Sequence, residues 1–163
     1  MNIDFLFQNF IKNLLSYHYI LEQEFQEVND LINELKKYEP FKLDVREATP
    51  TQNALNIAVI ISYARNFKKN YGFYSIEEIN AQLKQNFSEV ENALHKKIIT
   101  ERDKEFAHSD ASINDIKIYS EGPFSHSGRT LRQLLEKKDL IILQNMISKI
   151  REEINDQINN INN

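Results

Sequence analysis

Residues 3–37 read IDFLFQNFIKNLLSYHYILEQEFQEVNDLINELKK, an unbroken stretch without a glycine or a proline. Phe7, Phe10, Ile11, Leu14, Leu15 and His18 recur at helical spacing, and so do Leu21, Phe25, Val28, Leu31, Ile32 and Leu35. The pattern predicts one very long helix over residues 1–40, or a helix pair with a break near residues 16–20. Pro40 ends it, and residues 38–48 read as a connection. The whole 163-residue chain is equally poor in turn formers, with 3 Gly and 3 Pro, where average usage gives roughly 11 and 8. A Rossmann fold, a sandwich or a many-stranded barrel spends more turn residues than that. The expected fold is all-α, a four- or five-helix bundle in one domain spanning residues 1–163.

Start signals place the remaining helices. Thr49-Pro50-Thr51-Gln52 offers an N-cap, a proline at the first helical position and a capping partner three residues on. That helix is expected to run to about Asn70 and to stop at Gly72. Its residues 55–61 are apolar nearly all round, as suits a central helix. Ser75-Ile76-Glu77-Glu78 opens a short helix to about Gln85, and Ser88-Glu89-Val90-Glu91 opens another through at least Phe106. Residues 109–128 hold five Ser, two of the three Gly and Pro123, and read as a long loop before the last helix. Within it, Ile116-Lys117-Ile118 alternates and suggests a short extended piece. The last helix is expected from about Ser127 or Thr130, with a bend at residues 136–139.

Composition removes several function classes. The chain has no Cys, which excludes disulfides, thiolate metal sites and a cysteine nucleophile. The longest apolar run is five residues, 57–61, so no membrane span or secretory signal is expected, and the location is expected to be cytoplasmic. The formal net charge of -4 comes entirely from residues 1–47, which carry 9 acids and 5 bases. Residues 48–76 contain Arg65, Lys68 and Lys69 and no acid, and residues 117–138 carry five bases against two acids. A phosphate-binding face could be assembled from these stretches, with Arg65, Lys68, Lys69, Lys104 and Arg129 as its candidate cations. Gly128-Arg129-Thr130 could add a helix start facing phosphate. The four histidines, His18, His95, His108 and His126, form no His-x3-His pair, and no cofactor is implied. Tyr and Phe residues read mainly as core, with Tyr63, Tyr71, Phe73 and Tyr74 the group best placed for base stacking.

The most distinctive segment is Arg102-Asp103-Lys104-Glu105-Phe106-Ala107-His108-Ser109-Asp110. Val90, Leu94 and Ile98 repeat every four residues, and Arg102 continues their line toward the packed side. An arginine there needs a carboxylate, carbonyls or a phosphate as partner. One reading is structural, with Arg102 paired to Asp103 or to a glutamate of another helix. The other is chemical. A histidine at a helix end holds a proton readily, and beside a fixed guanidinium it suits phosphoryl transfer to an internal nucleophile. Asp110 either fixes His108 or caps the loop.

Arg102 and His108, six apart near the end of a bundle helix, resemble the Arg-x4-6-His signature of the HEPN superfamily. The longer form, Arg102-Asp103-Lys104 followed by Ala107-His108-Ser109-Asp110, resembles its abortive-infection branch, as does the helix carrying Ser62-Tyr63-Ala64-Arg65. The resemblance covers residues 50–160. It implies a metal-independent endoribonuclease that works as a homodimer, as a toxin or phage-defence effector with an antitoxin or other protein partner. In it His108 assists attack of the ribose 2′-hydroxyl, Arg102 stabilises the transition state, and Asp103 orients one of them. The alternative it allows is a catalytically silent dimeric protein that binds a nucleotide or a protein.

Overall fold

The computed structural model describes residues 3–38, 47–68, 76–106, 116–121, 124–129 and 134–162. Five helices account for most of them: α1 (Ile3–Lys36), α2 (Pro50–Arg65), α3 (Ile76–Leu83), α4 (Glu89–Phe106) and α5 (Lys137–Asn162). The fold is an all-α bundle, interrupted by one antiparallel hairpin of β1 (Ile116–Glu121) and β2 (Phe124–Arg129).

Helix α1 is a single helix, with no break at residues 16–20. That stretch is pinned by Tyr17 and His18, both buried. The His18 ring bonds Leu14 O through Nδ1 and reaches Gln157 Oε1 of α5 at 2.6 Å through Nε2. Helix α2 starts where expected. Thr49 Oγ1 accepts from the Gln52 N–H, and Gln52 Oε1 accepts in return from the Thr49 N–H. It ends earlier than expected, at Arg65. The N–H groups of Asn66, Phe67 and Lys68 turn back to the carbonyls three residues earlier, which tightens and closes the helix. The box at Ser88 forms in the same reciprocal way as that at Thr49.

The last helix starts later than its pattern suggests, at Lys137. Residues to Arg129 are taken up in β2, so Gly128 and Arg129 lie on a strand and open no helix. The start is set by Asp139, whose Oδ2 accepts from the Glu136 N–H at 3.2 Å. Leu135 before that cap and Leu140 after it are both buried, the arrangement of a hydrophobic staple. Residues 136–139 are therefore a beginning and not a bend. The expected 109–128 loop likewise contains the hairpin, which extends the alternation at residues 116–118 into a six-residue strand.

The helices α1, α2, α4 and α5 close a ring in that order, and α3 packs on α5. Leu21, Phe25, Val28, Ile32 and Leu35 of α1 fill its centre with Val59, Ile60 and Tyr63 of α2 and Ile98 of α4. Leu143, Met146, Ile147, Ile150 and Ile154 of α5 complete it. No residue from 55 to 67 is exposed, in keeping with a central α2. Asn56 of α2 reaches across to accept from the Leu135 N–H at 3.3 Å.

Candidate functional site

The packed stripe of α4 runs through Glu91, Leu94, His95 and Ile98, all buried, while Val90 is 61% exposed. The line through Val90 therefore gives way to one shifted by a residue, and Arg102 continues it as the next position after Ile98. Its side chain is about one-third exposed (32%) and donates from Nη1 to Asp103 Oδ1 at 3.0 Å. Asp103 also accepts from Lys68 Nζ, just beyond α2, at 2.8 Å. One carboxylate thus gathers a guanidinium and an ammonium from two different segments. Lys68 and then Arg102 hold the Asp103 carboxyl below its usual range, against a smaller opposing effect of burial. Among the described residues, Asp103 is the partner of both cations, and the triad keeps a net positive charge.

The basic stretch at the end of α2 is divided by the fold. Arg65 faces the other way, toward Glu24 and Glu27 of α1 at 3.6 and 3.8 Å. Its Nε is buried and has no hydrogen-bond partner among the described residues. The structure therefore joins Lys68 to Arg102 and Asp103 and sets Arg65 against α1. Lys104 lies on α4 and Arg129 on β2. His108, Asp110 and Lys69 lie outside the described residues, as do Tyr71, Phe73 and Tyr74.

Two turns before Arg102 is an aromatic box that sequence reasoning missed. Tyr63 Oη and His95 Nδ1 share a hydrogen bond of 3.0 Å. Phe67 and Phe87 set their rings against the imidazole at centroid distances of 4.6 and 6.2 Å. Tyr63 is fully buried, which removes it from any base-stacking surface and makes it core. Burial, with Lys84 and Lys96 nearby, pushes the His95 pKa down to about 4, and burial raises that of Tyr63. Both groups are neutral at neutral pH. The available signal was Tyr63 and Phe67 at i, i+4 beside a histidine on an apolar stripe.

Other polar pairs hold the helices in register. Glu91 binds Lys149 at 2.7 Å, Lys97 binds Asp139 at 2.8 Å, and Glu22 accepts from Arg151 Nε at 3.0 Å. Burial alone would push Glu91 up, but its bonds from Lys149 and Ser88 hold it below the usual range. Glu22 and His95 are thus committed to different partners, and no group of His, Asp and Glu suited to a metal ion occurs among the described residues. No described helix is long and apolar enough to cross a membrane. Comparison with protein-family models, with curated proteins and with solved structures gave no match for this chain.

Proposed function

We propose that the chain is a metal-independent endoribonuclease of HEPN type, acting in the cytoplasm as a homodimeric toxin or phage-defence effector. The observation that carries this reading is the Arg102–Asp103–Lys68 triad. At the end of α4 Arg102 donates from Nη1 to Asp103, and a guanidinium carries further N–H donors suited to a phosphate. Lys68 adds a second cation to the same carboxylate. The segment that follows α4 carries His108, six residues beyond Arg102.

In this reaction the ribose 2′-oxygen bonds to the adjacent phosphorus as the bond from phosphorus to the 5′-oxygen breaks. His108 takes the 2′-hydroxyl proton, and solvent protonates the leaving 5′-oxygen. Arg102 offsets the charge that develops on the phosphate, and Asp103 holds Arg102 in place. The products are a 2′,3′-cyclic phosphate and a 5′-hydroxyl, so DNA is not cut.

The same triad supports a second reading, a catalytically silent helical protein in which Arg102 is a structural partner of Asp103. Incubating the purified chain with single-stranded RNA in EDTA separates the two. The ribonuclease reading expects cleavage with cyclic phosphate ends. It expects Arg102→Ala and His108→Ala each to lower the rate by at least about a hundredfold while helicity and sedimentation are kept. Equal rates in wild type and both variants would end it. Arg102→Ala that alters only the unfolding midpoint would favour the silent protein.

A further inference from the structure

Helix α1 outruns the helices packed beside it. Tyr38 O accepts from Gln52 near the start of α2, and Glu24 and Glu27 face Arg65 at its end, so α2 lies along the second half of α1. Helix α5 runs antiparallel to α1, with Gln144 on Asn33, Arg151 on Glu22 and Gln157 on His18. It continues from Gln157 to Asn162, which at about 1.5 Å per residue ends level with about residue 13 of α1. Among the described residues, α2 and α5 are the elements that α1 meets. Burial records where this cover stops. Phe10 and Val28 lie five helical turns apart and so point the same way, and Leu14 and Ile32 are related identically. Val28 and Ile32 are fully buried, whereas Phe10 is 46% exposed and Leu14 is only half-buried, as is Ile11. The core-facing stripe of α1 thus continues past the end of the core.

We infer that this end of α1 is a contact between two copies of the chain, in which the two helix ends lie antiparallel with their Phe10–Leu14 stripes face to face. Such a stripe is self-complementary, because a twofold axis across it sets apolar positions of each copy against apolar positions of the other. Charge favours the same occupant. Residues 3–16 hold one acid and one base, Asp4 and Lys12, whereas residues 17–38 hold five acids against two bases. Two acidic chains therefore repel least at this end. A free peptide of similar length is not a stable helix and must be ordered as it binds, while α1 of a second copy is already held helical by its bundle. A membrane surface fits less well, since the exposed Gln8, Asn9, Asn13 and Ser16 are uncharged and leave Lys12 as the base beside the stripe. An overlap of residues 3–14 covers a face about 18 Å long and about 10 Å wide, less than the roughly 800 Å² a side of a standard interface. The dimer is accordingly weak, in the micromolar range. The inference gives a surface to the homodimer of the ribonuclease reading without depending on that reading. The Lys97–Asp139 pair sets the later part of α4 at the start of α5, whereas this contact lies at its finish.

The test is sedimentation velocity of the full chain across the micromolar range, with far-UV ellipticity as the check on folding. The wild type is expected to pass from monomer to dimer as concentration rises. Phe10→Glu and Phe10→Lys each set like charges across the contact and are each expected to raise the dimer Kd at least roughly tenfold. An equal mixture of the two is expected to dimerise again through opposite charges. Tyr19→Ser, at an exposed position on the opposite side of the helix, is expected to associate as the wild type does. Phe10→Gln, which removes the ring without adding charge, is expected to weaken the dimer severalfold and decides the matter if a charged variant loses helicity. A wild type that stays monomeric throughout overturns the contact. Dimerisation that the Phe10 variants keep undiminished overturns it too and assigns the homodimer to another face. A monomeric wild type that floats with phosphatidylcholine vesicles overturns it in favour of a membrane surface. The cleavage assay in EDTA is read separately, so the ribonuclease reading stands or falls on its own result.

Discussion

His95 is a buried imidazole whose hydrogen bond to Tyr63 depends on its staying neutral in the aromatic box. Its pKa of about 4 in the folded chain lies below the ordinary 6.5. Between those values the unfolded chain binds a proton that the folded chain does not, so stability rises with pH through this window. The contribution is complete above about pH 6.5 and is lost as pH falls toward 4. Urea unfolding is expected to show a loss of about 2 kcal/mol between pH 7 and pH 5, and His95→Gln to remove most of that dependence. An equally steep dependence in the variant would assign it to another group. Asp103 is likewise held below its ordinary range, but its surroundings differ. It is 40% exposed, and its ion pairs with Lys68 and Arg102 are worth little to stability, so its part is to position Arg102.

At the scale of elements, local chemistry decides where helices begin. Thr49 and Ser88 each satisfy a free N–H at the start of a helix. Thr49→Ala and Ser88→Ala are each expected to cost about 1 kcal/mol in equilibrium unfolding, with the denaturant slope unchanged. Asp139→Ala is expected to cost more, about 2 kcal/mol, since it frees the Glu136 N–H and leaves Lys97 without its carboxylate. Unchanged midpoints would show that packing alone fixes these starts. The first two boxes were legible in the sequence because a capping box is complete within four residues. The start of α5 was not. Its cap reads Glu136 to Asp139, an unusual N-cap residue, and the strand before it consumed residues that the helical pattern had claimed.

Over the whole molecule, Phe25 shows how the ring of helices is coupled. From α1 it meets Tyr63 of α2 and Phe67 just beyond that helix at 6.2 and 5.9 Å, and those rings in turn pack on His95 of α4. Phe25→Ala is expected to cost about 3–5 kcal/mol and to lower the thermal midpoint, with far-UV and tyrosine near-UV signals falling together. Separate transitions would mean that α1 detaches from the rest. The acidity of residues 1–47 also acquires a place in the fold. Glu22 holds Arg151 of α5, and Glu24 and Glu27 face Arg65, so α1 supplies carboxylates to the helices packed around it.

The sequence by itself determined the helical class, a helical N-terminal stretch, the openings of α2 and α4, and the neighbouring pair Arg102 and Asp103; that α1 is one helix and not two was left to the structure. Each of these rests on residues within a few positions of one another, where helical period and capping chemistry act. Tertiary structure alone decided that Lys68 meets Asp103 while Arg65 turns to α1, and that Tyr63 closes on His95. A stretch free of acids along the chain is paired with acids in space, because helix packing brings side chains together across separations of 30 residues and more. The charge available to a phosphate is fixed by those contacts, which the one-dimensional count does not contain.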